Sequence, residues 1–212
     1  MPVIRIFDNP MFPGLERTLA LWSDERAGLY FSAPCPTDTD PFHGPTIELL
    51  VANSLAHGRG LIIHACGVVI RGKGLLFVGQ SGAGKTTLGR LWKERGGAEI
   101  LSDDRIILRK RAGQFWIYGT PWHGDARFAS PRGVRLAGIF LLRQARENAI
   151  TEVDGIDPVS RLLTCAFPTY WDPSGMAFTL EILADVTASV PCHGLLFRPD
   201  KGATDLVERI LT

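Results

Sequence analysis

The sequence predicts an α/β protein built around a mixed sheet, in which some neighbouring strands are antiparallel. An apolar run at 75–78 leads into a glycine-rich segment and then into a helical pattern at 87–93, the order typical of a strand–loop–helix unit. A second apolar run at 61–70 is joined to the first by the tight turn Arg-Gly-Lys-Gly at 71–74. Because parallel neighbours need a long crossover, so short a turn makes these two strands an antiparallel hairpin and the sheet mixed.

The elements before the hairpin are predicted to form an N-terminal lobe over 1–60, packed on the core of a single domain that spans 1–212. Strand-like runs occur at 3–7, 19–22 and 29–32, and the composition of 34–41 indicates a loop. The segment 46–56 is predicted to be a helix, since its apolar residues recur on one face: Ile47, Leu50, Val51 and Leu55. The glycine-containing run at 57–60 ends it.

After the glycine-rich segment, strands and helices continue to the end of the chain. A strand at 99–102 leads to two acidic residues, and runs at 106–108 and 115–118 form a second predicted hairpin. A strand is predicted at 138–142, and a helix at 158–167 with Asp157 as its N-cap. The remaining predictions are a helix at 175–189, a strand at 195–197, and a final helix with one apolar stripe, Ala203, Leu206, Val207, Ile210 and Leu211.

Composition excludes several functional classes. The formal net charge of +1 over 212 residues gives no overall electrostatic case for a nucleic acid or an anionic membrane as partner. The four cysteines have no C-x-x-C spacing, which favours reduced, buried thiols over a zinc site or a disulfide framework. No segment has the pattern of a secretory signal or the length of a membrane span, so a cytoplasmic protein is expected.

The glycine-rich segment at 79–86, GQSGAGKT, matches the phosphate-binding P-loop pattern G-x-x-x-x-G-K-[ST] at every specified position. Its glycines let backbone N–H groups point at one anion, and the following helix N-terminus adds further donors. Lys85 is expected to reach the β- and γ-phosphates and Thr86 to ligate Mg²⁺. The alternative, a plain strand-to-helix turn, does not explain the Lys-Thr pair. The predicted nucleotide contacts are Gly79, Ser81, Gly82, Ala83, Gly84, Lys85, Thr86 and Thr87.

Two acids and a histidine are the other candidates for chemistry. Asp103 and Asp104 end the strand that follows the loop helix, which should place them close to the nucleotide. One acid can hold Mg²⁺ and the other can accept a proton from an attacking hydroxyl, although a solvated turn or a helix cap is the simpler interpretation. Adjacent residues of a strand face opposite sides, so the two acids should differ in role. His64 either orients the acid or neutralises phosphate charge, unless it is an ordinary core histidine.

The polar stretch at 119–135 is long enough to suggest a function beyond connection. Arg127 and Arg132 could bind a phosphate or carboxylate of an acceptor or help neutralise the transition state, or they could simply be solvated, and His123 could hydrogen-bond Asp125. Two aromatic side chains of this stretch, Trp122 and Phe128, either contact an acceptor or anchor the loop to the core.

Together, His64-Ala65, the hairpin, the 79–86 loop and Ser102-Asp103-Asp104-Arg105 resemble the catalytic domain of HPr kinase/phosphorylase, whose nucleotide core is similar to that of ATP-dependent phosphoenolpyruvate carboxykinase. The resemblance is strong over about 60–110 and elsewhere rests on element order. It implies a kinase domain that uses ATP and Mg²⁺, with Lys85 and Thr86 on the phosphates and metal. It further implies Asp103 as base with His64 as its partner, Asp104 as a metal or structural acid, and a homo-oligomer.

Two departures bear on the substrate. The family's separate N-terminal domain and its later glycine-rich substrate loop have no counterpart in this sequence, which argues against HPr itself as acceptor. The chain looks more like the short HPr-kinase-related proteins, some of which phosphorylate a serine of a peptide. The expected function is therefore Mg²⁺/ATP-dependent phosphoryl transfer to a hydroxyl, with serine of a peptide or small protein as acceptor. The alternatives are a small-metabolite kinase, for example on free serine, and a nucleotide-dependent regulatory module; a carboxykinase lacks a candidate second metal site.

Overall fold

In a computed structural model of the chain, residues 1–6, 16–33, 40–42, 44–153 and 155–211 are described. The chain divides into two compact units. The first consists of Met1–Arg59 and Pro168–Thr179, and the second of Gly60–Phe167 and Leu180–Thr212. A single domain with an N-terminal lobe over 1–60 remains a prediction; the first unit also includes a segment from much later in the chain. None of the described helices is long and apolar enough to cross a bilayer.

The first unit contains a small antiparallel sheet and a helix. Its three strands, in the order β1-β2-β3, are β1 (Val3–Ile6), β2 (Arg17–Leu21) and β3 (Ala27–Phe31), and its helix is α1 (Pro45–Leu55). The sheet buries Leu19 and Leu21. The helix buries Thr46, Ala52 and Asn53, so the predicted apolar stripe of α1 is only half-buried. Phe7 and most of the predicted 34–41 loop lie outside the described residues.

The second unit holds the large sheet. Its strands are β4 (Leu61–Ile70), β5 (Lys73–Val78), β6 (Ala98–Ser102), β7 (Arg105–Arg111), β8 (Gln114–Gly119), β9 (Gly133–Gln144), β10 (Ala149–Thr151) and β11 (Cys192–Phe197). The helices are α2 (Lys85–Arg95), α3 (Asp157–Leu163), α4 (Pro173–Ser189), which begins in the first unit, and α5 (Lys201–Ile210). Strand β10 was not predicted; it has only three residues.

The predicted mixed sheet is confirmed. Strands β4 and β5 form an antiparallel hairpin, whereas β5 and β9, and β9 and β11, pair in parallel. The second predicted hairpin, β7–β8, is also present. Strand β4 pairs with β7 through its first residues and with β6 through its last. Strand β8 pairs with both β7 and β9, so the pairings β9–β5–β4–β7–β8–β9 form a closed circuit.

The core of the second unit forms between the sheet and two helices. Phe77 and Phe140 stack with their ring centroids 5.1 Å apart. Helix α2 contributes Trp92, and helix α5 contributes Ala203 and Val207, which are fully buried. The rest of the predicted apolar stripe is less buried: Leu206 and Leu211 are half-buried, and Ile210 is exposed. The described cysteines are free thiols, and two of them, Cys66 and Cys165, are buried. Burial raises the pKa of both the Cys66 and the Cys192 thiol, the latter to about 11.

Two boundary predictions near α3 are wrong. Asp157 is the first residue of the helix rather than its cap, and the capping position belongs to Ile156 without a side-chain hydrogen bond. The helix ends at Leu163 rather than 167. The reason is tertiary: the chain beyond it hydrogen-bonds to β4, with His64 N donating to Cys165 O at 2.7 Å and Phe167 N to Ile62 O at 2.9 Å.

Candidate functional site

The glycine loop (residues 79–86) follows β5 and ends in the first turn of α2. Gly82 and Gly84 have φ of 81° and 102°, which residues with a β-carbon rarely adopt. A β-carbon at Gly84 would also lie 2.6 Å from the Phe197 ring, so the loop approaches β11 too closely for any other residue. The N-cap of α2 is Gly84, and no side chain of the described residues caps the helix, which leaves its first N–H groups to other acceptors.

Lys85 is folded into the glycine loop. Its side chain is almost buried, and Nζ donates to the main-chain oxygens of Gly79 at 2.6 Å and Gln80 at 3.0 Å. Burial lowers the pKa of the Lys85 ammonium. The cation is therefore held at the point where the loop leaves β5.

Asp103 lies between β6 and β7 and is 2% exposed. Its Oδ1 accepts from Gly124 N at 2.9 Å and its Oδ2 from Ala126 N at 3.3 Å. A β-carbon at Gly124 would lie 2.7 Å from Asp103 Oδ2 and 3.3 Å from Thr86 Oγ1. The Asp103 carboxylate and the Thr86 hydroxyl therefore flank the same glycine.

Asp104 faces the other way and contacts His64. The distance between His64 Nδ1 and Asp104 Oδ1 is 2.9 Å, and Arg105 Nη1 lies 3.0 Å from Asp104 Oδ2. The hydrogen bond from His64, assisted by the charge of Arg105, lowers the pKa of the Asp104 carboxyl despite partial burial. About a quarter of each of the His64 and Asp104 side chains is exposed, so both can be reached from solvent.

The partner of His64 thus differs from the expectation, which named Asp103. Strand register explains the difference: His64 lies directly opposite Arg105 in the β4–β7 pair, so their side chains share a face of the sheet. Asp104 turns towards that face, while Asp103 points into the polar loop (residues 120–132).

The polar loop is bonded to the sheet at several points. Ser102 Oγ donates to Trp122 O at 2.7 Å, and Ser130 N donates to Leu101 O at 2.9 Å. Arg132, one of the two arginines that could bind an acceptor, pairs with Glu99 at 2.7 Å. Hydrogen bonds from Ser130 and Arg132 lower the pKa of the Glu99 carboxyl, which anchors this end of the loop.

The other predicted residues of the polar loop divide into anchors and exposed groups. Phe128 packs against the core cluster, and a β-carbon at Gly89 of α2 would lie 3.5 Å from its ring, so it is an anchor. Among the described residues, no hydrogen bond joins His123 to Asp125; His123 Nδ1 lies 3.1 Å from Gly124 O. Arg127 is exposed and has φ of 55°, a left-handed conformation held by its N–H to Gly124 O at 3.0 Å.

A cavity of about 470 Å³ beside the glycine loop was not predicted. Its polar lining includes Arg143 and Gln144 from the end of β9 and Arg161 from α3. Gln144 Nε2 donates to Gly82 O at 2.6 Å and so braces the loop. No motif marks these residues; the one signal that could have found 143–144 is the tendency of ligands to bind at the carboxyl ends of parallel strands.

The similarity of the chain to known proteins is distant. No family model and no curated protein matches the chain. Among solved structures, the HPr(Ser) kinase/phosphatase from Coxiella burnetii is similar, with a TM-score of 0.40 and 16% identity over 71% of this chain and 95% of that one. A likeness at this level does not assign the chain to that family.

Changing Gly124 to alanine is expected to destabilise the chain by about 1–3 kcal/mol, because the new methyl group would push the polar loop away from Asp103 and Thr86. Denaturant unfolding measures the loss. Gly89→Ala is the matched control, since its nearest contact would be an ordinary 3.4 Å to Cys66 Sγ. Equal stability of the two variants would show that the loop does not depend on this close approach.

Proposed function

We propose that this chain is a Mg²⁺/ATP-dependent kinase that transfers the γ-phosphoryl group to a hydroxyl, with serine of a peptide or small protein as acceptor. The observation that carries the proposal is that three features lie at one end of the sheet: the glycine loop, the Thr86 and Asp103 side chains that flank Gly124, and the Asp104–His64 contact. Ala65 pairs with Val78, so His64 lies beside the strand end from which the glycine loop departs. Asp103, which flanks Gly124 together with Thr86, and Asp104, which contacts His64, are adjacent residues of the β6–β7 junction.

The donor set fits magnesium. Within the described residues, no group of three or more His, Cys, Asp or Glu side chains is arranged to hold a metal ion. Mg²⁺ in kinases, however, takes one or two protein oxygens and completes its shell with phosphate oxygens and water. Thr86 and Asp103 offer such a hydroxyl and carboxylate around Gly124. When bound there, the ion would neutralise charge on the transferring phosphates.

This assignment gives the metal-side role to Asp103 rather than to Asp104, the reverse of the expectation from sequence. Asp104 is then the base. It accepts the proton of the acceptor hydroxyl, whose oxygen bonds to the γ-phosphorus while the bond from that phosphorus to the β–γ bridging oxygen breaks and ADP leaves. His64 orients the Asp104 carboxylate through its 2.9 Å contact. Lys85 and the loop N–H groups stabilise charge on the phosphates.

The cavity beside the glycine loop has room for the rest of the donor, because ligand sites typically measure about 300–1,000 Å³. Residues 79–83 of the loop line it, together with the end of β9. Arg143 and Gln144 supply polar contacts for a nucleotide there.

Transfer of label from γ-³²P-ATP tests the proposal. With Mg²⁺ present, the chain should label a pool of serine-containing peptides more than free serine, and Lys85→Met should lower the rate by about 100-fold or more. Preferred labelling of free serine would make it a small-metabolite kinase. Tight nucleotide binding without transfer or hydrolysis would contradict the kinase proposal and favour a regulatory module.

A further inference from the structure

Positive charge is concentrated in one part of a nearly neutral chain. The whole sequence has a formal net charge of +1, yet the segment 105–146 contains a single acid, Asp125. Its cations are Arg105, Arg109, Lys110, Arg111, Arg127, Arg132, Arg135, Arg143 and Arg146. Strands β7, β8 and β9 contain no aspartate or glutamate at all. Segregation of this kind is typical of a surface that meets an anionic partner.

Much of this charge lies on one side of the β7–β8–β9 sheet. Alternate residues of these strands are buried, namely Leu108, Phe115, Ile117, Val134 and Leu136. Those between them form the arginine face, which we define as Arg109, Arg111, Trp116, Tyr118 and Arg135. In the strand register Trp116 lies opposite Arg109 on one side and Arg135 on the other, so cations flank the indole.

The arginine face combines guanidinium groups with aromatic rings. Arg111 Nη1 donates to the Tyr118 hydroxyl at 3.0 Å, and its guanidinium carbon lies 6.0 Å from the Trp116 ring centroid. Within the described part of the chain, no carboxylate lies within ion-pair distance of Arg111 or Arg135, both of which are exposed. In contrast, Lys110 pairs with Asp185 and Arg132 with Glu99. The two exposed arginines therefore direct their charge towards solvent.

The arginine face is continuous with the proposed base Asp104 and its partner His64. Arg105, the first residue of β7, contacts both Asp104 and His64. Since side chains alternate along a strand, Arg105 lies on the same side of β7 as Arg109 and Arg111. A polypeptide whose hydroxyl reaches Asp104 can therefore extend along this side of β7.

We propose that the acceptor is a polypeptide with a run of aspartate or glutamate close to its phosphorylated serine, and that this run docks on the arginine face. The proposal about the acceptor rests on the proposed kinase function. Carboxylates match the planar, two-donor geometry of arginine, and charged surfaces of this kind mainly speed and orient association. A single-stranded nucleic acid also suits arginine beside aromatic rings, but continuity with Asp104 and His64 favours the peptide.

Fluorescence anisotropy with labelled probes tests the docking without requiring catalysis. The probes are a Gly-Ser-Gly peptide followed by six glutamates, the same peptide with six glutamines, and a single-stranded 12-nucleotide oligothymidylate. At low salt, Arg111→Glu/Arg135→Glu should weaken binding of the glutamate peptide about tenfold or more, and the glutamine peptide should bind much more weakly than the glutamate one. Arg5→Glu/Arg90→Glu, which reverses two exposed charges elsewhere, should change affinity less than about twofold.

Three outcomes overturn the inference: equal weakening in both double variants, equal affinity for the glutamate and glutamine peptides, or tighter binding of the oligothymidylate than of the glutamate peptide. Binding that follows the arginine face without phosphoryl transfer would contradict the kinase proposal and leave the docking surface intact. Transfer to serine peptides with no preference for flanking acids would support the kinase proposal and contradict the docking surface.

Discussion

Asp104→Asn is expected to lower the rate of phosphoryl transfer by about 10²–10⁴-fold, the usual contribution of a positioned general base. Asparagine keeps the size of the side chain and can still accept a hydrogen bond from His64 Nδ1, but it cannot take up the acceptor's proton. Affinity for Mg²⁺-ATP should change by less than about threefold, because Asp104 is directed to His64 and Arg105 rather than to Thr86. Single-turnover transfer and nucleotide titration measure the two quantities separately.

The exposed acid of the polar loop provides the control: Asp125→Asn should leave both quantities unchanged. Turnover of Asp104→Asn close to that of the original chain would exclude Asp104 as the base.

The contact between Asp104 and His64 also makes the stability of the fold depend on pH. Because the folded-state pKa of Asp104 is lowered, its stabilising contribution is present above the unfolded pKa and is lost as the pH falls through the folded pKa. Asp104→Asn should therefore flatten the acid side of the stability profile, which urea unfolding at several pH values would show.

Asp103→Asn is expected to weaken Mg²⁺-dependent nucleotide binding about tenfold or more and to destabilise the fold by about 1–3 kcal/mol. Both oxygens of the buried Asp103 carboxylate accept N–H groups, from Gly124 and Ala126. An amide has only one oxygen, so its NH₂ group would face one of these donors without an acceptor. Removing the negative charge would also take away the carboxylate beside Thr86.

Nucleotide titration with and without Mg²⁺, together with denaturant unfolding, distinguishes the two acids. Apart from any effect of its lower stability, Asp103→Asn should weaken nucleotide binding only when Mg²⁺ is present. If Asp104→Asn lost the Mg²⁺ dependence and Asp103→Asn kept it, the original assignment of the two acids would be restored. The two substitutions remove one charge each, so they are matched controls for one another.

Local patterns were sufficient to predict most of the sheet. The turn at 71–74 fixes the β4–β5 hairpin because two strands joined by so few residues have no other way to pair. The strand–loop–helix around residues 79–86 follows from an apolar run, glycines and a helical period that are all contiguous in sequence. The end of α3 was mispredicted because hydrogen bonds to β4, from more than ninety residues earlier in the chain, override its local preference.

Long-range geometry decided the rest of the candidate site. Strand alternation predicted that Asp103 and Asp104 face opposite sides, but which side holds His64 depends on the β4–β7 register. The pairing of Arg132 with Glu99 depends on a contact between β6 and a loop thirty-three residues later. The basic segment 105–146 was within reach of sequence reasoning, since counting charges by segment rather than over the whole chain reveals it.

The closed circuit of strands bears on why an arginine occupies position 135. Many proteins place cations on exposed strand edges to prevent one molecule from adding its strands to another's sheet. Over 116–118, β8 is hydrogen-bonded on both sides, and Arg135 stands in a strand that also has neighbours on both sides. Protection against aggregation therefore does not account for a cation at position 135.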